Sequence, residues 1–580
     1  MRKWLNASSD SYAIKTNEIF FLKKVFMNKQ FTSIIIKILV VVLLLTPLIY
    51  ILSFYKGLHV LPNYDYWSMF SEMIRDGEIN ASIDNLIARS NEHIVVVPKL
   101  LYLINYYTVQ GSNKGLFFFN ILMVAVQLIL CLRITRELEG QYRYLGFIVS
   151  SFLLFSPTAA HNWLLSMSGN AWFTANMLSL SIFAIYAIQN YDKNVSLSNS
   201  FSTIFLILLA ALTYSTGVYA ALTIIMISIV DLFYKIHTGK SKLIRIIITF
   251  ISLLIFLIWY LTYNTPSHHP ELEYNTFIIY QYVFGYLGGI ATTNLNTAFL
   301  IGGFGLLIFV LLCFYAFKVK FNHIPLRFGF MICSYSIISA LTSAVARSGF
   351  GLEYALSSRY ASLSQLFWLG IVIMLLSYLQ NNKNNCKLLV ASVLCAGTIL
   401  MIYTNGVLII NNFRDRFSEQ HLAALSLQIG AHDLNLIQRT ITPAPDQLLT
   451  HIDNYKKIQH VPFADNIHEQ MFENILDFYE LYPYKDITAN IIDINNLNDN
   501  SYKVKGSIII NERHIEISRI IFTKADGTII GFALLDSKAE GIDGYEWSGY
   551  LHKPGEGLID VYGLNEQDLL MPFRTSFQVD

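Results

Sequence analysis

Long apolar runs dominate the chain up to about Ile410, and short alternating runs close it. A helix that crosses a bilayer needs about 20 mostly apolar residues, because the hydrocarbon core is about 30 Å thick. The runs that meet or approach this length are 33–55, 115–133, 144–160, 170–189, 200–216, 217–234, 244–263, 298–317, 327–345, 361–380 and 388–410. They predict eleven spans, with the division near Thr216–Gly217 open to another placement. Two further apolar stretches, 94–109 and 277–291, are too short or too polar to cross and read as re-entrant or interfacial pieces.

Beyond the last span the periodicity changes. Apolar residues recur at helical spacing in His421–Ile437 and Ile467–Leu481, with Pro443 and Pro445 between them. From Ile487 the pattern becomes short runs rich in Ile, Val, Tyr and Phe: 487–494, 502–510, 515–523, 528–535, 545–552, 558–562 and 573–579. Asp526-Gly527 between two of them is a hairpin signal. Seven strands at this spacing predict a small antiparallel β-sandwich. The expected organisation is an N-terminal tail 1–32, a transmembrane domain 33–411 with a large first loop 56–114, a helical linker region 412–486 and a β-sandwich-like domain 487–580. The fold class is therefore an α-helical polytopic membrane protein with a C-terminal α+β region.

Composition agrees with this reading. Of 580 residues, 54% are hydrophobic and only 14% charged, with mean hydropathy +0.45. That excludes a single soluble domain, a disordered chain and a disulfide scaffold. The net charge of +1 hides an uneven partition. Residues 412–580 hold 14 Lys and Arg against 25 Asp and Glu, and residues 1–411 hold 27 against 15. No basic stripe suited to nucleic acid remains.

Positive residues orient the spans. With the N-terminus inside, inner segments carry 19 bases: six before the first span, Arg133, Arg136, Arg143, Lys193, Lys235, Lys240, Lys242, Arg245, Lys318, Lys320, Arg327, Lys383 and Lys387. Outer segments carry 7: Lys56, Arg75, Arg89, Lys99, Lys114, Arg347 and Arg359. An odd number of spans then puts the C-terminal region outside. No small-residue cleavage pattern follows Tyr55, so the first span reads as an uncleaved anchor. All five cysteines fall in spans or an inner loop, as small buried hydrophobes do.

Charge is costly in a membrane protein, so polar clusters at span ends are where chemistry is expected. Five such junctions share the outer side: Leu61–Trp67 with Ser90–Ile94, Ala160–Trp163 with Ser166–Asn170 and Trp172, Thr213–Tyr219, Ser267–Tyr274, and Ala346–Glu353 with Ser358–Tyr360. Asp65 fits either a helix cap or a catalytic acid. Glu92 and His93 lie directly against apolar residues, an odd place for surface decoration. Arg347 and Arg359 flank the glycine-bearing Ser348–Gly351 and suit either a phosphate site or contacts with lipid headgroups. Trp67, Trp163 and Trp172 suit an interfacial belt or sugar stacking. Trp547, Tyr545 and Tyr550 in the strand region suit a carbohydrate-facing module, with sheet packing the simpler account.

Adjacent His268 and His269 point their side chains apart in most backbones and make a poor metal pair. No cofactor is called for, with a divalent metal left open. No phosphate-binding GxxxxGK[ST], Asp-x-Asp, GxGxxG or GxSxG motif occurs, which argues against ATP hydrolysis and soluble nucleotide-sugar transfer.

The layout resembles the integral-membrane GT-C glycosyltransferases: many spans, a large first outer loop with an acid just after span one, an amphipathic helix in that loop and an exported C-terminal domain. The segments Asn63–Trp67, Asn91–His93, Trp163–Asn170 and Ser358–Tyr360 also resemble bacterial O-antigen and cell-envelope glucosyltransferases. The resemblance covers about residues 33–410. It implies transfer of a sugar, on the outer side of a bacterial cytoplasmic membrane, from a polyprenyl-phosphate carrier to an envelope glycan, polysaccharide or glycolipid acceptor such as lipopolysaccharide. By the same resemblance Asp65 is the general base, standing alone where the family pattern has a pair, with Glu92 as the second carboxylate and His93 beside it. Trp67, His161, Trp163, Arg347, Arg359 and Tyr360 are then the candidates for substrate binding. A transporter or flippase of lipid-linked sugars, or an assembly protein with a glycan-binding outer domain, are the competing readings.

Overall fold

The computed structural model describes residues 34–191, 196–234, 239–380, 385–416, 419–465, 467–482, 487–510, 517–538, 544–565 and 567–579. The N-terminal tail with its six bases, and Lys193, Lys235 and Lys383, lie outside the described residues.

Ten helices among the described residues are long and apolar enough to cross a membrane: Ile34–Gly57, Asn113–Thr135, Gly140–Leu164, Ser166–Gln189, Ser215–Phe233, Gly239–Leu261, Leu295–Lys318, Ile324–Phe350, Ala361–Gln380 and Lys387–Arg414. The eleventh expected span is the shorter apolar helix Leu197–Ala211. The chain turns at Leu212–Tyr214, a few residues before the expected division, and Gly217 in the next helix packs against the Ala210 backbone. A Cβ at Gly217 would lie 1.8 Å from the Ala210 carbonyl oxygen, so only glycine allows the two helices to approach this closely. The two short apolar stretches are also helices, Val96–Val109 and Thr276–Gly288. At 14 and 13 residues they extend about 20 Å, well short of the hydrocarbon thickness.

Polar side chains knit the bundle where the sequence marks Trp163–Asn170. Asn120 donates to the carbonyls of Asn162 and Ser166, and Asn170 donates to the Leu116 carbonyl and to Asn120 Oδ1. These amides hold the helices Asn113–Thr135 and Ser166–Tyr191 together, where a hydrogen bond has no water to compete with it.

The first loop and residues 419–475 share one hydrophobic core. Tyr66 Oη meets His460 Nε2 at 2.9 Å, Tyr455 Oη donates to the Trp67 carbonyl, and Tyr106 Oη donates to that of Ile458. Gly111, at φ +81°, sits where a Cβ would lie 2.0 Å from His460 Nε2. The helical stretch expected as a linker is thus a packed body that covers the first loop. Lys99 pins the loop from beneath: fully buried, its ammonium donates to Glu72 Oε2 at 2.7 Å and to the carbonyls of Asn85 and Ala88.

All seven expected strands occur: Ile487–Asn498, Ser501–Ile510, Ile517–Lys524, Ile529–Lys538, Gly544–His552, Ile559–Asn565 and Leu569–Phe577. They pair antiparallel, and Glu480–Leu481 adds a short parallel edge to Leu569–Leu570. Gly527, at φ +83°, makes the expected turn at Asp526-Gly527. The sheet curls until its first and last long strands meet, with Thr575 Oγ1 bonded to both the Ala489 amide and carbonyl. The enclosed face holds Trp547, which lies across Gly506 and 5.5 Å from the Phe522 ring. Tyr550 points the other way, into the core shared with the helical region, and donates to Asp433 Oδ2. Trp547 and Tyr550 are therefore packing residues with no face left for a sugar.

Candidate functional site

The site is built from the ends of three helices and two turns of the first loop. Asp65 follows Tyr64, which takes a left-handed φ of +54°. That is an uncommon conformation for a bulky residue, and it is anchored from outside the loop. The Tyr64 amide donates to the Ile441 carbonyl at 2.7 Å, and Asn63 Nδ2 donates to that of Thr440. Asp65 stands at the N-cap position of the helix Tyr66–Ser71 but makes no side-chain cap bond. Its carboxyl reaches solvent while protein surrounds it on most sides. Desolvation raises its pKa, against the pull of Arg359; Glu92 pushes it further up, and His268 and Arg347 draw it down.

Glu92 and His93 come from the tight hairpin of Arg89–Ser90 with His93–Ile94, turned at Asn91, which has φ +52°. Asn tolerates this conformation better than most residues. Arg89 Nη1 donates back to the Glu92 carbonyl at 3.1 Å. The Glu92 side chain is buried and ion-paired to Arg347, the last residue of the helix Ile324–Arg347. Its oxygens also lie 3.3 Å from His93 Nε2 and 3.8 Å from His269 Nδ1. Burial alone would raise the Glu92 pKa, but His93, Arg347, a backbone hydrogen bond and His269 together hold it below the usual value. Glu92 is therefore a carboxylate at neutral pH, paired with Arg347.

His93 is pushed down to about 4, first by burial and then, against the pull of Glu92, by Arg347 and Arg359. Its neutral ring packs against Tyr214, with centroids 3.9 Å apart and the planes tilted by 34°. Nε2–H faces Glu92, which leaves Nδ1 to accept from the Ser215 hydroxyl at 2.7 Å. Ser215 opens the helix Ser215–Phe233. His269 is also held near 4, by burial and by Arg347, whose Nη1 lies 2.7 Å from its Nε2.

Arg359 is placed differently from Arg347. Its guanidinium lies over the rings of Tyr354 and Tyr360, at 4.7 and 5.2 Å, and donates to Tyr354 Oη. Its buried Nε has no hydrogen-bond partner among the described residues. Tyr360 is buried, stacked on Tyr286 and edge-on to Trp172. His161 lies beside this turn: its amide donates to Ser358 Oγ and its ring is 6.1 Å from Tyr64.

The structure thus gathers Asp65, Glu92, His93, Arg347, Arg359 and Tyr360, with His161 at the edge. Of the two arginines expected to act as a phosphate pair, Arg347 is committed to Glu92 and His269, while Arg359 lies over Tyr354 and Tyr360. The structure also withdraws two aromatics. Trp67 is 3% exposed, wedged among Tyr66, Tyr455 and His460 with its Nε1 donating to the Pro62 carbonyl. Trp163 is 1% exposed, against Phe155 and Phe173 with its Nε1 donating to the Ser156 carbonyl. Neither ring has a face to offer a substrate. Tyr214, Ser215 and Tyr354 join the site without having been singled out. The first two lie in the polar junction Thr213–Tyr219, whose composition is the available signal. Among the described residues no group of three or more His, Cys, Asp or Glu side chains is arranged to hold a metal ion.

No protein-family model matches the chain, and no curated protein sequence does. Among solved structures, the crystal structure of ArnT from Cupriavidus metallidurans bound to undecaprenyl phosphate is similar over 76% of this chain and 82% of that one. The sequence identity is 13% and the TM-score 0.37, a likeness that carries no argument for a shared chemistry.

Proposed function

We propose that the protein is a GT-C-type membrane glycosyltransferase that moves a sugar from a polyprenyl-phosphate carrier to an envelope glycan or glycolipid. The reaction is placed on the outer side of a bacterial cytoplasmic membrane. The observation that carries the reading is the pairing of functions at Asp65 and Arg359. One is an accessible carboxylate made more basic by desolvation, and the other a cation with an uncommitted N–H nearby.

In this reading the acceptor hydroxyl oxygen attacks the anomeric carbon and gives its proton to Asp65. The bond from that carbon to the carrier's phosphate oxygen breaks, and the electron pair leaves with the polyprenyl phosphate. Arg359 faces the charge that develops there. The attack and departure on opposite faces invert the anomeric centre. Glu92, ionised and buried, holds Arg347 and His93 in place and is too tightly paired to take the acceptor proton itself.

The test compares envelope glycans by mass spectrometry from cells that carry the wild-type gene, lack it, or carry Asp65→Asn. Loss of one hexose without the gene, reproduced by Asp65→Asn at normal membrane level, is the expected result. In isolated membranes the rate should fall about 100-fold or more. Full transfer by the variant would remove Asp65 from the mechanism, and an accumulated untransported intermediate would identify a flippase instead.

A further inference from the structure

A second charged cluster lies at the other end of the same helices. Asp231 is buried near the end of Ser215–Phe233 and ion-paired to Arg327, at the start of Ile324–Arg347. Tyr186, near the end of Ser166–Tyr191, donates to Asp231 Oδ2 at 3.1 Å and shares a 2.8 Å hydrogen bond with Ser228. Arg245, in the first turns of Gly239–Leu261, lays its guanidinium 3.8 Å from the centre of the Tyr186 ring. Ser215 and Arg347 of the candidate active site occupy the opposite ends of two of these helices. Sixteen residues separate Ser215 from Asp231, and twenty separate Arg327 from Arg347. At 1.5 Å per residue the clusters are about 24–30 Å apart, close to the hydrocarbon thickness.

Beside this cluster is a cavity of about 590 Å³ lined by Asp231, Lys242 and Arg245, by the hydroxyl-bearing Ser228 and Thr249, and by apolar side chains. The Asp231 carboxylate is already engaged by Arg327 and Tyr186, so the charge presented to the cavity by Lys242 and Arg245 is positive. Behind Asp231, the buried Nε and Nη1 of Arg327 have no hydrogen-bond partner among the described residues. The walls are apolar and face outward: Leu232, Ile246, Phe250 and Leu253 are all exposed. Ionisable groups buried in a membrane domain are expensive and are kept where they bind or move charge.

We propose that this cavity is a binding site for the phosphate headgroup of an anionic lipid in the leaflet opposite the candidate active site. Lys242 and Arg245 contact the phosphate, and the exposed apolar wall receives the upper acyl chains. A soluble phosphate would use the cations but gain nothing from that wall. The site is independent of the transferase reading, since neither Asp65 nor Arg359 takes part.

The test is native mass spectrometry of the full-length protein in detergent with added phosphatidylglycerol or phosphatidylcholine, alongside thermal melting with the same lipids or inorganic phosphate. Phosphatidylglycerol should be retained in preference and should raise the melting temperature. Retention should fall about fivefold for each basic residue removed, in Lys242→Gln and in Arg245→Gln. Lys242 is exposed, so its variant is expected to fold normally and keeps the test decisive if Arg245→Gln does not fold. Equal retention of the two lipids, or undiminished retention in Lys242→Gln, overturns the proposal. Stabilisation by inorganic phosphate equal to that by the lipid overturns the lipid assignment in favour of a soluble anion.

Discussion

Asp65 and Glu92 are carboxylates of one loop with opposite electrostatic settings. Asp65 has a raised pKa and meets water; Glu92 is buried, ionised and bound to Arg347. A buried pair gains little over a neutral replacement of both partners, but removing one partner strands the other charge. Glu92→Gln and Arg347→Gln are each expected to destabilise the protein by about 3–5 kcal/mol. The double variant should recover a large part of that loss, because no charge is left unmatched. Thermal melting of the three proteins in one detergent measures it, and additive losses in the double variant would show that the pair is not coupled. Glu92 is conspicuous in the sequence as an acid beside an apolar run, whereas Asp65 stood out as a base only through the resemblance that matches it to a first-loop acid. Trp67 and Trp163 were not legible, because an aromatic near a span end carries the same signature whether it stacks on a sugar, sits in the interfacial belt or fills a core. Only burial separates those cases.

At the scale of elements, helices and strands announced themselves through local periodicity, and the hairpin at Asp526-Gly527 followed from two residues. What covers what did not, since the contacts that decide it are far apart in sequence. His460 lies 394 residues from its partner Tyr66. Nothing local marks the stretch around it as the body that seats the first loop, although it ties down the backbone on both sides of Asp65. That junction is sensitive to acid. His460 is fully buried and desolvation lowers its pKa to about 4, against the opposing pull of the hydrogen bond from its Nδ1–H to the Val461 carbonyl; its Nε2 accepts from Tyr66. Between pH 6.5 and 4 the unfolded chain takes up a proton that the folded ring refuses. Stability is therefore full above about pH 6.5 and falls as the pH drops, by up to about 3 kcal/mol from this group. The melting temperature should decline from pH 7 to pH 5 in wild type and decline less in His460→Gln. An unchanged slope would assign the acid sensitivity to His59, His93 and His269, which are depressed in the same direction.

For the whole molecule, the partition of charge and the arrangement of the two clusters bear on the same question. The Asp65–Arg359 site gathers at the ends of helices that bear few bases. The Asp231–Arg245–Arg327 cluster gathers at the ends that bear many, among them Lys240, Lys242, Lys318 and Lys320. Because positive residues are retained on the cytoplasmic side, the first site is expected outside and the second inside. The curled sheet is expected on the same side as the first site, since its helical neighbours are bonded to the loop that bears Asp65. Single cysteines at Leu558 and Asn322, both exposed, probe opposite faces in this arrangement. The parent for both carries Cys313→Ser and Cys386→Ser, which leaves only the buried Cys131, Cys333 and Cys395 as background. A membrane-impermeant maleimide applied to intact cells should label Leu558→Cys, and it should label Asn322→Cys only after permeabilisation. The reverse pattern would put Asp65 in the cytoplasm, where nucleotide-sugar donors are at hand, and would remove the reason for a lipid-linked one.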